Sequence, residues 1–167
     1  MYKRQIYTGA KFTRLYFKDC YIDGTTDFIF GPSTALFEDC IIHSKRNSYV
    51  TAASTPKEAK YGYVFKHCKL TAEPGVDKVY LGRPWRPYAY TLFIECELGK
   101  HIVLAGWHNW GKQSNEETAR YMEYKNTGEG ANASERVAWS KQLTKKEAEA
   151  VTVDAIFRTQ SDWNPID

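Results

Sequence analysis

One seven-residue pattern occurs four times in this chain: Tyr16-Phe17-Lys18-Asp19-Cys20-Tyr21-Ile22, Leu36-Phe37-Glu38-Asp39-Cys40-Ile41-Ile42, Val64-Phe65-Lys66-His67-Cys68-Lys69-Leu70 and Leu92-Phe93-Ile94-Glu95-Cys96-Glu97-Leu98. The cysteines follow one another at 20, 28 and 28 residues, a period at which self-similarity signals stacked structural units rather than one globular sheet. Within each copy Cys and a later Ile or Leu stand two apart, so a strand carries both on one face, where Cys acts as a small buried hydrophobe. Phe lies three before Cys, an odd offset that strict alternation sends to the other face. Both are buried only if the chain bends between them.

The units hold short β-rich runs and no helical period, which fits one coil of a parallel β-helix. The expectation is an all-β, single-stranded parallel β-helix with Phe over Phe and Cys over Cys in its interior. A 167-residue chain that is 43% hydrophobic and 15% aromatic is one domain, or part of one, with ample material for a core.

Several function classes are disfavoured at once. The net charge of +3, from 23 basic and 20 acidic side chains, is too small to argue for nucleic acid. No run of eighteen apolar residues is present to span a membrane, and no secretory signal opens the chain. The four cysteines share one repeat position without a Cys-x-x-Cys pair, and His43, His67, His101 and His108 show no ligand spacing. The cysteines read as a thiol ladder, and neither a metal nor an organic cofactor is called for.

Residues 6–43 read as two closely spaced coils. Residues 44–62 and 71–78 are polar, turn-rich excursions of the kind that wall a groove. The repeat stops after Leu98. Thr144 to Glu147 is a capping box that predicts a helix over 144–150, and residues 157–165 are expected to pack back along the solenoid as a terminal cap. Residues 1–5 match no coil and are expected to be a non-native or frayed start. Residues 6–167 then form a partial β-helix domain, with coils over 6–98 and loops, helix and cap over 99–167.

The chemistry concentrates in two segments. Gly24-Thr25-Thr26-Asp27-Phe28-Ile29-Phe30-Gly31 sets one carboxylate against an apolar run, and Tyr80-Leu81-Gly82-Arg83-Pro84-Trp85-Arg86-Pro87-Tyr88 fixes a guanidinium and an indole beside prolines. Taken singly, a turn Asp and a surface Arg are ordinary. Together they describe a carboxylate stripped of water on one side yet kept ionised and oriented by paired hydrogen bonds, which is a nucleophile for an ester carbonyl or an anomeric carbon. Trp85 suits a sugar face, and simple packing explains it almost as well.

These two segments resemble the signature motifs of the pectin methylesterases, the pectinesterases of carbohydrate esterase family 8, in order and separation. The resemblance continues through Ala105-Gly106-Trp107-His108-Asn109-Trp110, Tyr124-Lys125-Asn126-Thr127-Gly128, Arg136-Val137-Ala138-Trp139 and Trp163-Asn164-Pro165, and so covers about residues 6–167. It implies a right-handed parallel β-helix that removes the C6 methyl esters of homogalacturonan as methanol, without metal or cofactor, in a secreted, monomeric protein. It implies that Asp27 is the nucleophile, that Arg83 orients it, that Trp85 is a substrate platform, and that Phe30, Tyr88 and Trp107 border the groove. Simple alternation from Asp27 would turn Phe30 inward.

The family mechanism also uses a second Asp, as acid and then base, and an amide that stabilises the oxyanion. The family's Gln-Asp-Thr-Leu-Tyr-Thr aligns here with Lys3-Arg4-Gln5-Ile6-Tyr7-Thr8, so the acid position falls on Arg4. The expectation is a C-terminal portion of an esterase, inactive or weakly active alone. The alternatives are a non-catalytic homogalacturonan-binding module or, less favoured, another β-helical pectin-degrading enzyme, since fold does not fix function.

Overall fold

The computed structural model describes residues 6–158, 163, 165 and 166. The chain winds through successive coils of three short strands. The first holds β1 (Ile6–Tyr7), β2 (Arg14–Lys18) and β3 (Tyr21–Gly24), and the second β4 (Ile29–Gly31), β5 (Thr34–Glu38) and β6 (Ile41–Ser44). The third holds β7 (Tyr49–Ala53), β8 (Tyr63–Lys66) and β9 (Lys69–Ala72), and the fourth β10 (Tyr80–Gly82), β11 (Tyr90–Ile94) and β12 (Glu97–Leu98). A fifth coil contributes α1 (Ser114–Thr118) and β13 (Arg120–Tyr124), and β14 (Lys141–Gln142) ends the stack. The strands pair only in parallel, in three sheets ordered β1-β4-β7-β10, β2-β5-β8-β11-β13-β14 and β3-β6-β9-β12. The result is a right-handed parallel β-helix.

The bend that the Phe-to-Cys offset demands is present in every repeat. The residue before each Cys, namely Asp19, Asp39, His67 and Glu95, has a left-handed backbone with φ of 53°, 54°, 54° and 51°. That corner turns the chain from one sheet into the next, so Phe and Cys both reach the interior. Phe17, Phe37, Phe65 and Phe93 stack with ring centroids 4.8, 4.5 and 4.4 Å apart. Beside them the thiols of Cys40, Cys68 and Cys96 each point at the Phe carbonyl of the preceding coil, at 3.5, 3.3 and 3.5 Å. All four cysteines are free. The hydrogen bond with Cys68, together with burial, pushes the Cys40 thiol well up, the state of an inert structural Cys.

The repeat does not stop at Leu98. Phe93 registers with Glu123, and Lys125, at φ 46°, occupies the corner position. Asn126 stands where Cys would and accepts the Cys96 N–H at 2.9 Å. Glu123 is 3% exposed and takes two hydrogen bonds from Arg136, at 2.7 and 3.2 Å. Arg136 also donates to the carbonyls of Leu104 and Gly130. An ion pair thus closes the Phe column, and it hid the fifth coil because the residues that define the pattern are replaced. Tyr49–Ala53, expected to be part of a polar excursion, is a central strand. Its Val50, Thr51 and Ala53 are fully buried.

The six-stranded sheet is covered on both faces, which explains its unbroken Leu-Phe and Val-Phe runs. Phe37 and Phe65 face inward. Leu36, Val64 and Leu92 face outward against α2 (Lys145–Glu149) and α3 (Val153–Phe157), meeting Ala148, Val151, Ile156 and Phe157. The expected capping box is formed, with the Thr144 hydroxyl and the Glu147 carboxylate each accepting from the other's backbone N–H. The Phe157 carbonyl accepts from Arg14 Nη1 at 2.6 Å, in the first coil. The described part of the C-terminal segment therefore packs back along the flank of the solenoid as far as the first coil. Residues 159–162 and 164 of that expectation lie outside the described residues, as do residues 1–5.

His101 is 4% exposed. Burial, and to a smaller extent His43, lowers its pKa to about 4 from the ordinary 6.5.

Replacing Phe65 by Ala in mid-column should lower the unfolding free energy by about 3–5 kcal/mol, read from urea titration. An unfolded His101 takes up its proton at a higher pH than the folded one, so stability is lost as pH falls from about 6.5 towards about 4. His101→Asn should flatten the pH dependence of the urea midpoint in that window relative to the native chain.

Candidate active site

Asp27 sits at a corner of its own, where the chain passes from β3 into β4. Its φ is 49° and its N–H donates to the Tyr49 carbonyl at 2.9 Å. An Asp tolerates this left-handed backbone better than most residues. Gly24 is required nearby because a Cβ there would lie 2.3 Å from that of Phe28. Phe28 and Ile29 fill the core, at 1% and 0% exposure, and Asp27 itself is 2% exposed. The left-handed corner also resets the alternation. Phe30 therefore faces outward, against Tyr7 at 5.0 Å and Trp85 at 6.0 Å, contrary to simple alternation.

Arg83 follows β10, two strands along the same sheet, or about 9.6 Å at the usual strand spacing. Its side chain crosses β7 to reach Asp27, donating from Nε to Oδ1 at 3.0 Å and from Nη2 to Oδ2 at 2.7 Å. Gly82, just before Arg83, lies close against Thr51 of β7. A Cβ on Gly82 would meet Thr51 Oγ1 at 2.1 Å. Such a two-pronged pair fixes the plane of the carboxylate. Tyr121 is buried inside the stack, and its phenol is pushed well up by burial and then by the charge of Asp27.

Trp85 and Tyr88 are half-buried. They share a cleft with Tyr7, Lys11, Ser54 and Arg86, and the Lys57 ammonium lies 5.2 Å from the Tyr88 ring centroid. Trp85 also walls a second cleft, with Trp110, Lys112 and Ser114. Another concavity, lined by Lys66, His67, Glu95 and Lys145, lies on the flank covered by α2 and holds none of the residues singled out from the sequence. Asp27, Arg83, Phe30, Trp85 and Tyr88 are thus brought into one region.

Trp107 is not part of it. At 1% exposure, with Tyr121 4.4 Å away and Phe93 6.0 Å away, it is a core residue, and the expectation that it borders the groove is corrected. The indole that reaches the site is Trp110, whose ring centroid lies 3.7 Å from Arg83 Cζ. Tyr49 covers the other face of the guanidinium at 3.8 Å. Neither was singled out from the sequence. The second Trp of Gly106-Trp107-His108-Asn109-Trp110 was the available signal, and only the loop geometry distinguishes it from the first.

Among the described residues no cluster of three or more His, Cys, Asp or Glu is placed to hold a metal ion, and no helix is long and apolar enough to cross a membrane.

A family model described as Pectinesterase matches residues 1–160. Pectinesterase 31 of Arabidopsis thaliana is 45% identical over 134 residues, 80% of this chain and 42% of that protein. Putative pectinesterase 11 of the same plant is 41% identical over 151 residues, 89% of this chain and 42% of that protein. The solved pectin methylesterase from carrot superposes with a TM-score of 0.83 at 32% identity, covering 92% of this chain and 54% of its own. A pectin methylesterase solved in complex with a hexasaccharide gives 0.77 at 28% identity, covering 97% and 56%. The chain spans less than half the length of these curated relatives.

Removing Arg83 leaves a nearly buried carboxylate without its counter-charge, so Arg83→Ala should lower the unfolding free energy by about 3–5 kcal/mol in urea titration. Arg83→Lys should recover part of this, since an ammonium keeps the charge but not the fork.

Proposed function

Because the chain belongs to the pectinesterase family, we propose that it carries the nucleophile half of a carboxylic ester hydrolase acting on the C6 methyl esters of homogalacturonan. The bidentate Arg83–Asp27 pair carries this reading. Asp27 attacks the ester carbonyl carbon, the methoxide leaves with a proton as methanol, and water cleaves the acyl-enzyme to give free galacturonate and restore the carboxylate. Arg83 holds the carboxylate in one orientation, which lowers the entropic cost of attack. Trp85, with Phe30 and Tyr88 beside it, offers an aromatic face to a sugar ring. That a relative was solved in complex with a hexasaccharide supports a saccharide polymer as the ligand. We further propose that the protein acts outside the cell, where such a polymer lies, and as a monomer without a cofactor.

Leaving-group protonation and oxyanion stabilisation need groups besides these. Among the described residues no second carboxylate is hydrogen-bonded to Arg83 or Asp27. The family's acid position corresponds to Arg4, a residue outside the described part. This chain alone is therefore proposed to be inactive or weakly active. A binding-only reading draws on the same observation, because an Arg at the acid position holds a galacturonate polymer but cannot deliver the proton.

Methanol release from methylated pectin separates the two. The chain should release methanol slowly at most. A version carrying the upstream residues of a relative, with its Gln and Asp, should gain a factor of at least about 10², and Asp27→Asn should abolish that gain. Pectin binding with no release from either version would leave the binding reading in place of the esterase.

A further inference from the structure

Arg83 is held from both faces. Its Cζ lies 3.8 Å from the Tyr49 ring centroid and 3.7 Å from that of Trp110. The guanidinium is planar and weakly hydrated on its faces, so two rings at van der Waals distance leave only its edge free, and that edge points Nε and Nη2 at Asp27. Tyr49 is in turn stacked on Tyr80 at 5.3 Å, which makes a column of Tyr80, Tyr49, Arg83 and Trp110. Both clamping rings are half-buried rather than part of the core. Each has its ring centroid within 3.8 Å of the guanidinium carbon.

Trp110 is also held at a cost. Its φ is 62°, a left-handed backbone that a bulky residue rarely adopts, and such strain persists only where the surroundings over-determine it. Here the Trp110 N–H donates to His108 Nδ1 at 3.0 Å, the Gly111 N–H to Asn109 Oδ1 at 2.8 Å, and Asn109 Nδ2 to Glu116 Oε1 at 2.7 Å. Asn115 Nδ2 donates to the Asn109 carbonyl at 2.9 Å. His108 in addition lies edge-on to Tyr49 and Tyr80, at 5.4 and 5.3 Å. Burial and the charge of Arg83 both lower its pKa, which keeps Nδ1 free to accept the Trp110 N–H.

We infer that Tyr49 and Trp110 are positioning residues for the reaction proposed above, and that they act through Arg83 by confining its fork to the one geometry that orients Asp27. The inference rests on that reading for its functional meaning, while the clamp itself is a property of the free protein.

The test has two arms. In ¹H–¹⁵N spectra of the whole chain, the clamped Arg83 should show a protected Nε–H and resolved Nη protons, the signature of hindered guanidinium rotation. Trp110→Leu and Tyr49→Leu should each merge or bleach these signals while Trp110→Phe retains them. Arg120 and Arg136, hydrogen-bonded elsewhere, serve as internal references for an intact fold. In the version carrying the upstream residues, Trp110→Leu should lower kcat for methanol release by about 10²-fold with KM little changed, and Trp110→Phe should restore most of it. Arg83 signals unchanged in both Leu variants, with the references intact, overturn the inference, as does a loss confined to KM. If that version releases no methanol, the esterase reading fails, and the spectra still decide whether the clamp exists. A variant that also loses its Arg120 and Arg136 signals is replaced by the other Leu variant, which removes the opposite ring.

Discussion

Every rung of this protein depends on register between coils, and register depends on a corner residue that accepts a left-handed backbone. Asp19, Asp39, His67, Glu95 and Lys125 occupy the same corner with φ between 46° and 54°. Without that corner, Phe and Cys point to opposite faces and no column forms. With it, stacked rings and thiols repeat at the strand spacing, and each coil's backbone pairs with the next. The charged and polar identity of the corner residues follows from their exposure. Their conformation is what the fold requires.

The candidate site draws on the same device and the same register. Asp27 is itself a left-handed corner, at the next bend of the coil, and it turns its nearly buried carboxylate towards Arg83 while Phe28 and Ile29 fill the core. Its partners come from successive rungs, Tyr49 from the third coil and Arg83 from the fourth. A slip of one residue in β7 or β10 would turn Arg83 or its neighbours to the other face. The ion pair is therefore a readout of correct stacking over three coils.

Much of this was legible in the chain itself. The Phe and Cys columns announced the fold, because apolar residues at fixed offsets in repeats of 20 to 28 residues leave few other solutions. Asp27 and Arg83 stood out because a carboxylate in an apolar run and a guanidinium among prolines need each other. What stayed hidden has physical causes. Glu123 and Asn126 satisfy the fifth coil by ion pairing and hydrogen bonding instead of by Phe and Cys, so a hydrophobic pattern cannot find it. Tyr49–Ala53 lies between polar turns, and the linear sequence does not show the burial of its Val50, Thr51 and Ala53. Trp107 and Trp110 are three apart in one loop, and which of them is core depends on the left-handed turn at Trp110. Phe30 faces the groove because of the backbone at Asp27, a conformation that alternation ignores.

The central claim is that Arg83 and Asp27 form one energetic unit across the coil stack. A double-mutant cycle on unfolding free energy, with Asp27→Asn, Arg83→Gln and the double variant, measures it without reference to any substrate. The account predicts that the two single losses exceed the double loss in sum, with a coupling of about 1–3 kcal/mol. Losses that simply add would contradict it, because two side chains that do not sense each other cannot be the oriented pair on which the site is built.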